Sequence, residues 1–213
     1  MIEEDHIIFI VDDDREVREG VCELLASLGL RAVPFGSVSE YIAASRPDLP
    51  ACLILDVVLP DINGLDFQKQ IADERHPPIV FITGHGDIPS SVRAIKNGAI
   101  DYLTKPFTAS DLLAAVRTAI SEDRRSRLAR DELARLRHCL SSLTPREREV
   151  LPLVVSGLLN KQAAAELGIS EITLQVHRSK IMHKMEAASL ADLVRFAQKL
   201  QIPMKHSRRQ GTS

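Results

Sequence analysis

Two apolar runs in this chain end in carboxylates. Ile7-Ile8-Phe9-Ile10-Val11 leads into Asp12-Asp13-Asp14, and Cys52-Leu53-Ile54-Leu55 ends at Asp56. If the two runs are adjacent parallel strands, three or more negative charges meet at one sheet edge. Like charges gathered there are costly unless a cation joins them or the carboxylates do chemistry. Two later runs end in groups suited to the same corner: Thr83, and Lys105 followed by Pro106. Mg²⁺ (or Mn²⁺) fits such a set, because Mg²⁺ takes oxygen ligands and keeps several waters, so that two carboxylates and a backbone carbonyl suffice. The ion would offset the carboxylate repulsion and neutralise charge as a phosphoryl group is transferred. Lys105 could hold one phosphate oxygen as a point charge, and Thr83 could donate a hydrogen bond to another. A plainer reading of Asp12–Asp14 is a helix cap, since they precede a helical stretch.

The elements that must position these residues alternate. Apolar runs at 7–11, 31–35, 52–56, 79–83 and 100–103 read as strands. Between them, Val17, Val21, Leu24, Leu25 and Leu28 recur at helical spacing before Gly29, and Ser37-Val38-Ser39-Glu40 is a capping box. Residues 65–72 and 89–97 give two further helices, and Leu112, Val116 and Ile120 mark a fifth. Alternating strands and helices predict a parallel sheet covered on both faces, with ligands at the carboxyl ends of its strands. Asp12, Asp13, Asp56 and Thr83 all stand at such ends.

The chain has 213 residues, a length that favours two domains. Its overall charge of −2 hides a segregation: residues 1–120 hold 10 Lys/Arg against 19 Asp/Glu, whereas residues 144–213 hold 11 against 6. An acidic front and a basic back suggest a cation-binding half and a polyanion-binding half. No apolar stretch approaches the roughly 20 residues that cross a membrane, and the acidic start lacks a signal peptide's basic region. A cytoplasmic protein is expected, with Cys22, Cys52 and Cys139 as free thiols, the first two buried.

Residues 121–143 are polar and Arg-rich, without Gly or Pro. Ala129, Leu133, Leu136, Leu140 and Leu143 keep a 4-3-4-3 spacing. That is either a short coiled-coil seam or one side of a linker helix resting on its own domain. From residue 144 the pattern is helical throughout. Thr144-Pro145-Arg146-Glu147 opens one helix, Asn160–Leu167 forms a second that Gly168 stops, Ser170 caps a third running to Lys184, and Ser189–Leu200 is a fourth. Pro152 falls inside the first of these and predicts a kink. The division expected is 1–120, a linker helix at 121–143, a helical domain at 144–205, and a disordered tail at 206–213.

The set Asp12-Asp13, Asp56, Thr83-Gly84 and Lys105-Pro106-Phe107 resembles the receiver domain of two-component response regulators, over about 120 residues and with its motifs in order. The resemblance implies a five-fold βα flavodoxin-like parallel sheet in which Asp56 takes a phosphoryl group from a sensor histidine kinase. It implies that Asp13, Asp56 and the carbonyl of Val58 bind the metal ion, with Asp12 acting through water. It also makes Thr83 and Tyr102 a switch pair and Lys105 the phosphate holder, and it implies a cis Lys105–Pro106 bond. Other sites fit less well. Gly84-His85-Gly86 lacks the third glycine of a dinucleotide loop and follows the fourth strand, so His85 reads as a loop residue. A phosphatase with an aspartate nucleophile would want a carboxylate two residues later, where Val58 stands.

Helices 160–167 and 170–184, joined by Gly168-Ile169, have a helix-turn-helix layout. A recognition helix needs small or polar residues for base edges, with cations beside them for phosphates. Thr173, Gln175, Val176 and Ser179 supply the first, and Arg178, Lys180 and Lys161 the second. Ile172, Leu174, Ile181 and Met185 read as core, and His177 as a packed or backbone-bonded histidine. Together with Leu143–Leu151, Gly157–Lys161 and Ile82–Asp87, these segments resemble the NarL/FixJ (LuxR-type) regulators, FixJ-like across the whole chain. Gln175 stands where that family often has Lys; glutamine can pair with adenine, whereas Lys favours guanine or phosphate, so a different base preference is expected. The function expected is a non-enzymatic transcription regulator that binds double-stranded DNA and pairs with itself on phosphorylation. The alternative is a constitutive DNA binder whose receiver only dimerises.

Overall fold

The computed structural model describes residues 6–71, 76–84 and 86–204. The notable sequence reading outside this set concerns His85 and the tail from 206. The chain divides into two compact units, Met1–Arg127 and Leu128–Ser213. Among the described residues no helix is long and apolar enough to cross a membrane.

The first unit is built on five parallel strands, β1 (Ile7–Val11), β2 (Ala32–Phe35), β3 (Ala51–Asp56), β4 (Ile79–Thr83) and β5 (Asp101–Thr104), in the order β2-β1-β3-β4-β5. Strands β1, β3 and β4 are buried at every position, which explains their unbroken apolar runs. Helices α1 (Arg15–Ser27), α2 (Val38–Ala43), α3 (Gly64–Gln70) and α4 (Ile88–Lys96) connect them. Alternate residues of each strand feed two separate cores. Ile8, Ile10, Cys52, Ile54, Val80 and Ile82 pack with Val21, Leu25, Leu112 and Val116, while Phe9, Leu53, Leu55 and Phe81 pack on the other face with Tyr41 and Phe67. Strand order reverses between β1 and β3, and ligands in open α/β sheets bind at such a point. Leu28 is the exception in the apolar stripe predicted for α1: it lies past the helix end as its C-cap and is exposed.

Helix α5 runs unbroken from Ala109 to Ser141. The sequence separates a fifth helix of the first domain from a linker at 121, but nothing there ends a helix: residues 121–143 contain no Gly, Pro or capping signal. What marks the division is a side-chain anchor. Asp123, buried, accepts from the Ala51 N–H at 2.9 Å and from Arg127 Nε at 2.7 Å, and Arg127 also pairs with Asp48. These contacts fasten α5 to the first unit as far as Arg127, where that unit ends.

In the second unit the end of α5 joins α6 (Pro145–Val155), α7 (Asn160–Leu167), α8 (Glu171–Lys184) and α9 (Leu190–Lys199). The 4-3-4-3 seam is used unevenly. Leu136 and Leu143 are buried in this domain's core with Cys139, Leu140 is packed against it, and Ala129 is exposed. Thr144 closes a full capping box with Glu147. Glu147 is buried, and Lys184 donates to it at 2.7 Å, tying α8 to the start of α6. Pro152 lies within α6, which is a single continuous helix. All three cysteines are free. Cys52 and Cys139 are buried and Cys22 only partly so, a correction to the expectation of a fully buried thiol there.

Candidate functional site

Because β1 and β3 are neighbours in register, Val11 opposite Leu55, the residues that follow them emerge side by side. Asp12 is 1% exposed and Asp56 4%. Lys105, just past β5, reaches both: its Nζ donates to Asp12 Oδ2 at 2.6 Å and to Asp56 Oδ1 at 2.8 Å. The second oxygen of Asp56 accepts from the Val58 N–H at 2.7 Å. The Lys105–Pro106 bond is cis. Burial raises the Asp56 pKa above the ordinary carboxylate value; Lys105 opposes that shift, the charge of Asp12 adds to it, and the Val58 N–H works against it. Burial acts to lower the Lys105 pKa, but its bonds to Asp12 and Asp56 outweigh this and the ammonium is held above its usual value.

The three neighbouring aspartates divide their work. Asp14 is the N-cap of α1, accepting from the N–H groups of Glu16 and Val17. Asp12 turns inward, its Oδ1 accepting from the Asp14 N–H at 2.9 Å. Asp13 is exposed and is not drawn into the Lys105 cluster. Among the described residues no three His, Cys, Asp or Glu side chains converge as a metal site. The two carboxylates that do converge, Asp12 and Asp56, offer hard oxygens, the chemistry Mg²⁺ selects, and they share one ammonium.

Thr83 is fully buried at the end of β4. Tyr102, in β5, stacks at a tilt on Phe81, ring centroids 6.2 Å apart, and its hydroxyl is buried beside Thr83 without a well-formed hydrogen bond. Burial raises the Tyr102 pKa, the charge of Asp87 adds to this, and Thr83 counters it. Two supports of this corner escape a reading by residue type. A Cβ on Gly64 would lie 2.4 Å from the Asp56 carbonyl oxygen, so only glycine lets α3 start against the end of β3. Arg18 donates to the Asp12 carbonyl at 2.6 Å from the end of the first turn of α1. The Gly was legible only as a residue before an apolar helix, and the Arg only as one of many surface cations.

The second candidate site is α7–α8. Gly168 closes α7 in the left-handed conformation, φ 64°, which lets the chain turn into α8, and Ser170 caps α8 through the Thr173 N–H. Leu174, Ile181 and Met185 are buried. Gln175, Val176, Ser179, Lys180 and Lys161 are exposed, and the Thr173 hydroxyl is hydrogen-bonded to Ser170 at 2.8 Å. Arg178 is part-buried and donates to Asn160 Oδ1 at 3.1 Å, so it joins α8 to the start of α7. His177 packs with its Nδ1 buried and without a hydrogen bond. The reading of Ile172 as core is corrected: it is 77% exposed. At 100° per residue it lies 200° around the helix from Leu174, so the two cannot share a buried face.

Residues 8–117 match the response regulator receiver domain family, and residues 141–197 match the luxR family of bacterial regulatory proteins. Nodulation protein W of Bradyrhizobium diazoefficiens is 48% identical over 202 residues, covering 94% of this chain and 89% of that protein. The transcriptional regulatory protein FixJ of Azorhizobium caulinodans is 41% identical over 194 residues, covering 89% and 90%. The structure of the response regulator StyR superposes with a TM-score of 0.79 at 44% identity, covering 92% of this chain and 99% of that one. A receiver sheet carrying a buried Asp–Lys–Asp corner is thus followed by a LuxR-type helix-turn-helix. The chain belongs to the response regulators that join a receiver to a LuxR-type DNA-binding domain, and it is a phosphorylation-regulated transcription regulator.

Proposed function

We propose that Asp56 is the phosphoryl acceptor, supplied by a sensor histidine kinase. The observation that carries this reading is the pairing of Asp56 with Lys105 at 2.8 Å in a buried, oxygen-rich corner at the β1/β3 switch point. Burial makes the Asp56 carboxylate a stronger base than an exposed one, and so a better nucleophile. Its oxygen forms the new P–O bond as the P–N bond of the phosphohistidine breaks; the electron pair stays on the imidazole nitrogen, and the imidazole leaves neutral after taking a proton from solvent. Asp13, Asp56 and the Val58 carbonyl would hold Mg²⁺, with Asp12 acting through water, and the ion would neutralise charge on the phosphoryl oxygens. Lys105 moves its ammonium from the carboxylates to a phosphoryl oxygen. Thr83 donates its hydroxyl to another, and Tyr102 stays inward behind it.

The output follows from two surfaces. On α4, Ile88, Val92 and Ile95 are exposed at i, i+4 and i+7, forming one apolar stripe beside β5, and this stripe supports pairing of two receivers on phosphorylation. Paired receivers bring two α8 helices to half-sites about one DNA turn apart. There Gln175, Val176 and Ser179 face base edges, with Thr173 at the helix start, and Lys161 and Lys180 face phosphates. Arg178 reaches phosphate from its bond to Asn160. Position 58 offers no carboxylate to serve as the proton donor of turnover, which speaks against a phosphatase.

The test is intact-protein mass spectrometry after incubation with acetyl phosphate and Mg²⁺. One phosphoryl group is expected on the wild type, and none on Asp56→Asn. A phosphoryl group on Asp56→Asn at the wild-type level would move the acceptor elsewhere.

A further inference from the structure

The buried face of α8 is fully committed: Leu174, Ile181 and Met185 lie within about 40° of one another around the helix and fill the domain core. The opposite face is Ile172, Val176, Ser179 and His183, spaced i, i+4, i+7 and i+11 and within about 60° of one another. Ile172 is 77% exposed in the first turn, and Val176 is 48% exposed one turn later. A lone exposed apolar residue is ordinary on any surface. Here two β-branched residues form a continuous apolar stripe at the centre of the outward face, in the N-terminal half of the helix. That half of a recognition helix meets base edges. In the major groove the one apolar feature offered by a base pair is the C5-methyl group of thymine.

From this placement we infer that Ile172 is a base-specificity residue, packing against a thymine C5-methyl in the half-site. Neighbouring Val176 makes the same kind of contact one turn away, and Gln175 supplies the polar contact beside them. The inference rests on α8 being the helix that enters the groove. Ile172 stabilises no part of the domain core, so its presence on this face is explained by the DNA and not by folding.

The test uses the full chain treated with acetyl phosphate and Mg²⁺. Preferred sites are selected from a random double-stranded DNA library by the wild type, Ile172→Ala, Val176→Ala and Gln175→Ala. In the selected duplex each thymine is then replaced singly by deoxyuridine, which removes the methyl group and nothing else. At the thymine facing Ile172 in each half-site the wild type is expected to lose about fourfold in affinity, the size of one buried methyl, with a separate loss at the thymine facing Val176. Ile172→Ala is expected to lose about the same amount on the natural duplex and nothing further on the deoxyuridine duplex. Deoxyuridine losses equal in the wild type and Ile172→Ala at every thymine would overturn the inference, as would the absence of any such loss. If Val176→Ala and Gln175→Ala change the selected sequence and Ile172→Ala does not, Ile172 alone is misassigned. If none of the three changes it, the placement of α8 in the groove falls with it.

Discussion

Lys105→Met removes the ammonium that two buried carboxylates share, and the consequence can be worked from the contacts. Asp12 and Asp56 are nearly inaccessible, and each accepts a hydrogen bond from Lys105 at 2.6 and 2.8 Å. Removing one partner of a buried ion pair costs about 3–5 kcal/mol; the Lys105 side chain is 22% exposed, which places the loss near the lower end, about 3 kcal/mol. The pH dependence has a definite sign. Asp56 already has a raised folded-state pKa, and losing Lys105 raises it further. A carboxyl whose folded pKa is raised destabilises the folded form once it ionises, so stability falls as pH rises through that pKa. The deficit of Lys105→Met should therefore be greatest at neutral pH and shrink as pH is lowered and Asp56 takes up a proton. The receiver can be followed alone in the full chain. The protein has no Trp and two Tyr, Tyr41 and Tyr102, both in the first unit. In urea with EDTA, a slope of about 2 kcal/mol per molar gives a midpoint lower by about 1.5 M for Lys105→Met at neutral pH. Added Mg²⁺ should restore part of the loss by putting a cation back between the carboxylates. Equal midpoints at neutral pH in EDTA, or a deficit that widens in acid, would refute this electrostatic reading of the corner.

Gly64→Ala would drive a Cβ against the Asp56 carbonyl, and a backbone atom cannot step aside cheaply; tyrosine-detected unfolding should show a loss of about 1–3 kcal/mol with slower phosphorylation by acetyl phosphate. In the second unit, burial acts to raise the Glu147 pKa, but Lys184 and the Thr144 cap outweigh it and hold it below the ordinary value. Its stabilising effect is present above the unfolded pKa near 4.5 and is lost as pH falls below it, and hydrogen exchange of the α6 amides should show the loss, with Glu147→Gln exchanging at a rate nearly independent of pH once intrinsic rates are divided out. DNA affinity should fall steeply with salt, and Lys180→Ala should reduce the slope of log affinity against log salt by about one, measured by fluorescence anisotropy.

Where a side chain's own neighbours along the chain decide its place, the sequence was readable. Strands β1, β3 and β4 stand out because both faces of a parallel sheet are covered, and the carboxylates that end β1 and β3 follow directly. The caps Ser37, Thr144 and Ser170 act on their own helices and were equally visible. Contacts that cross the fold were not. Arg18 and Gly64 support the acidic corner from helices α1 and α3, and neither has a local signature. Asp123 anchors α5 by capping a β3 N–H 72 positions away, so the length of α5 could not be judged from an Arg-rich segment alone. Apolarity alone places Ile172 in the core, whereas its angular position puts it outside. Its offset from Leu174 was already in the numbering, and only its place on the wheel separates a core residue from one that faces outward.

The central claim, that phosphorylation of Asp56 switches DNA binding, is tested most directly by one comparison. Affinity for a selected duplex is measured for the wild type and Asp56→Asn, each with and without acetyl phosphate and Mg²⁺. The wild type should bind tighter with the phosphodonor, and Asp56→Asn should not respond. Full phosphodonor response in Asp56→Asn would contradict the account and favour a constitutive DNA binder whose receiver serves only to pair the chains.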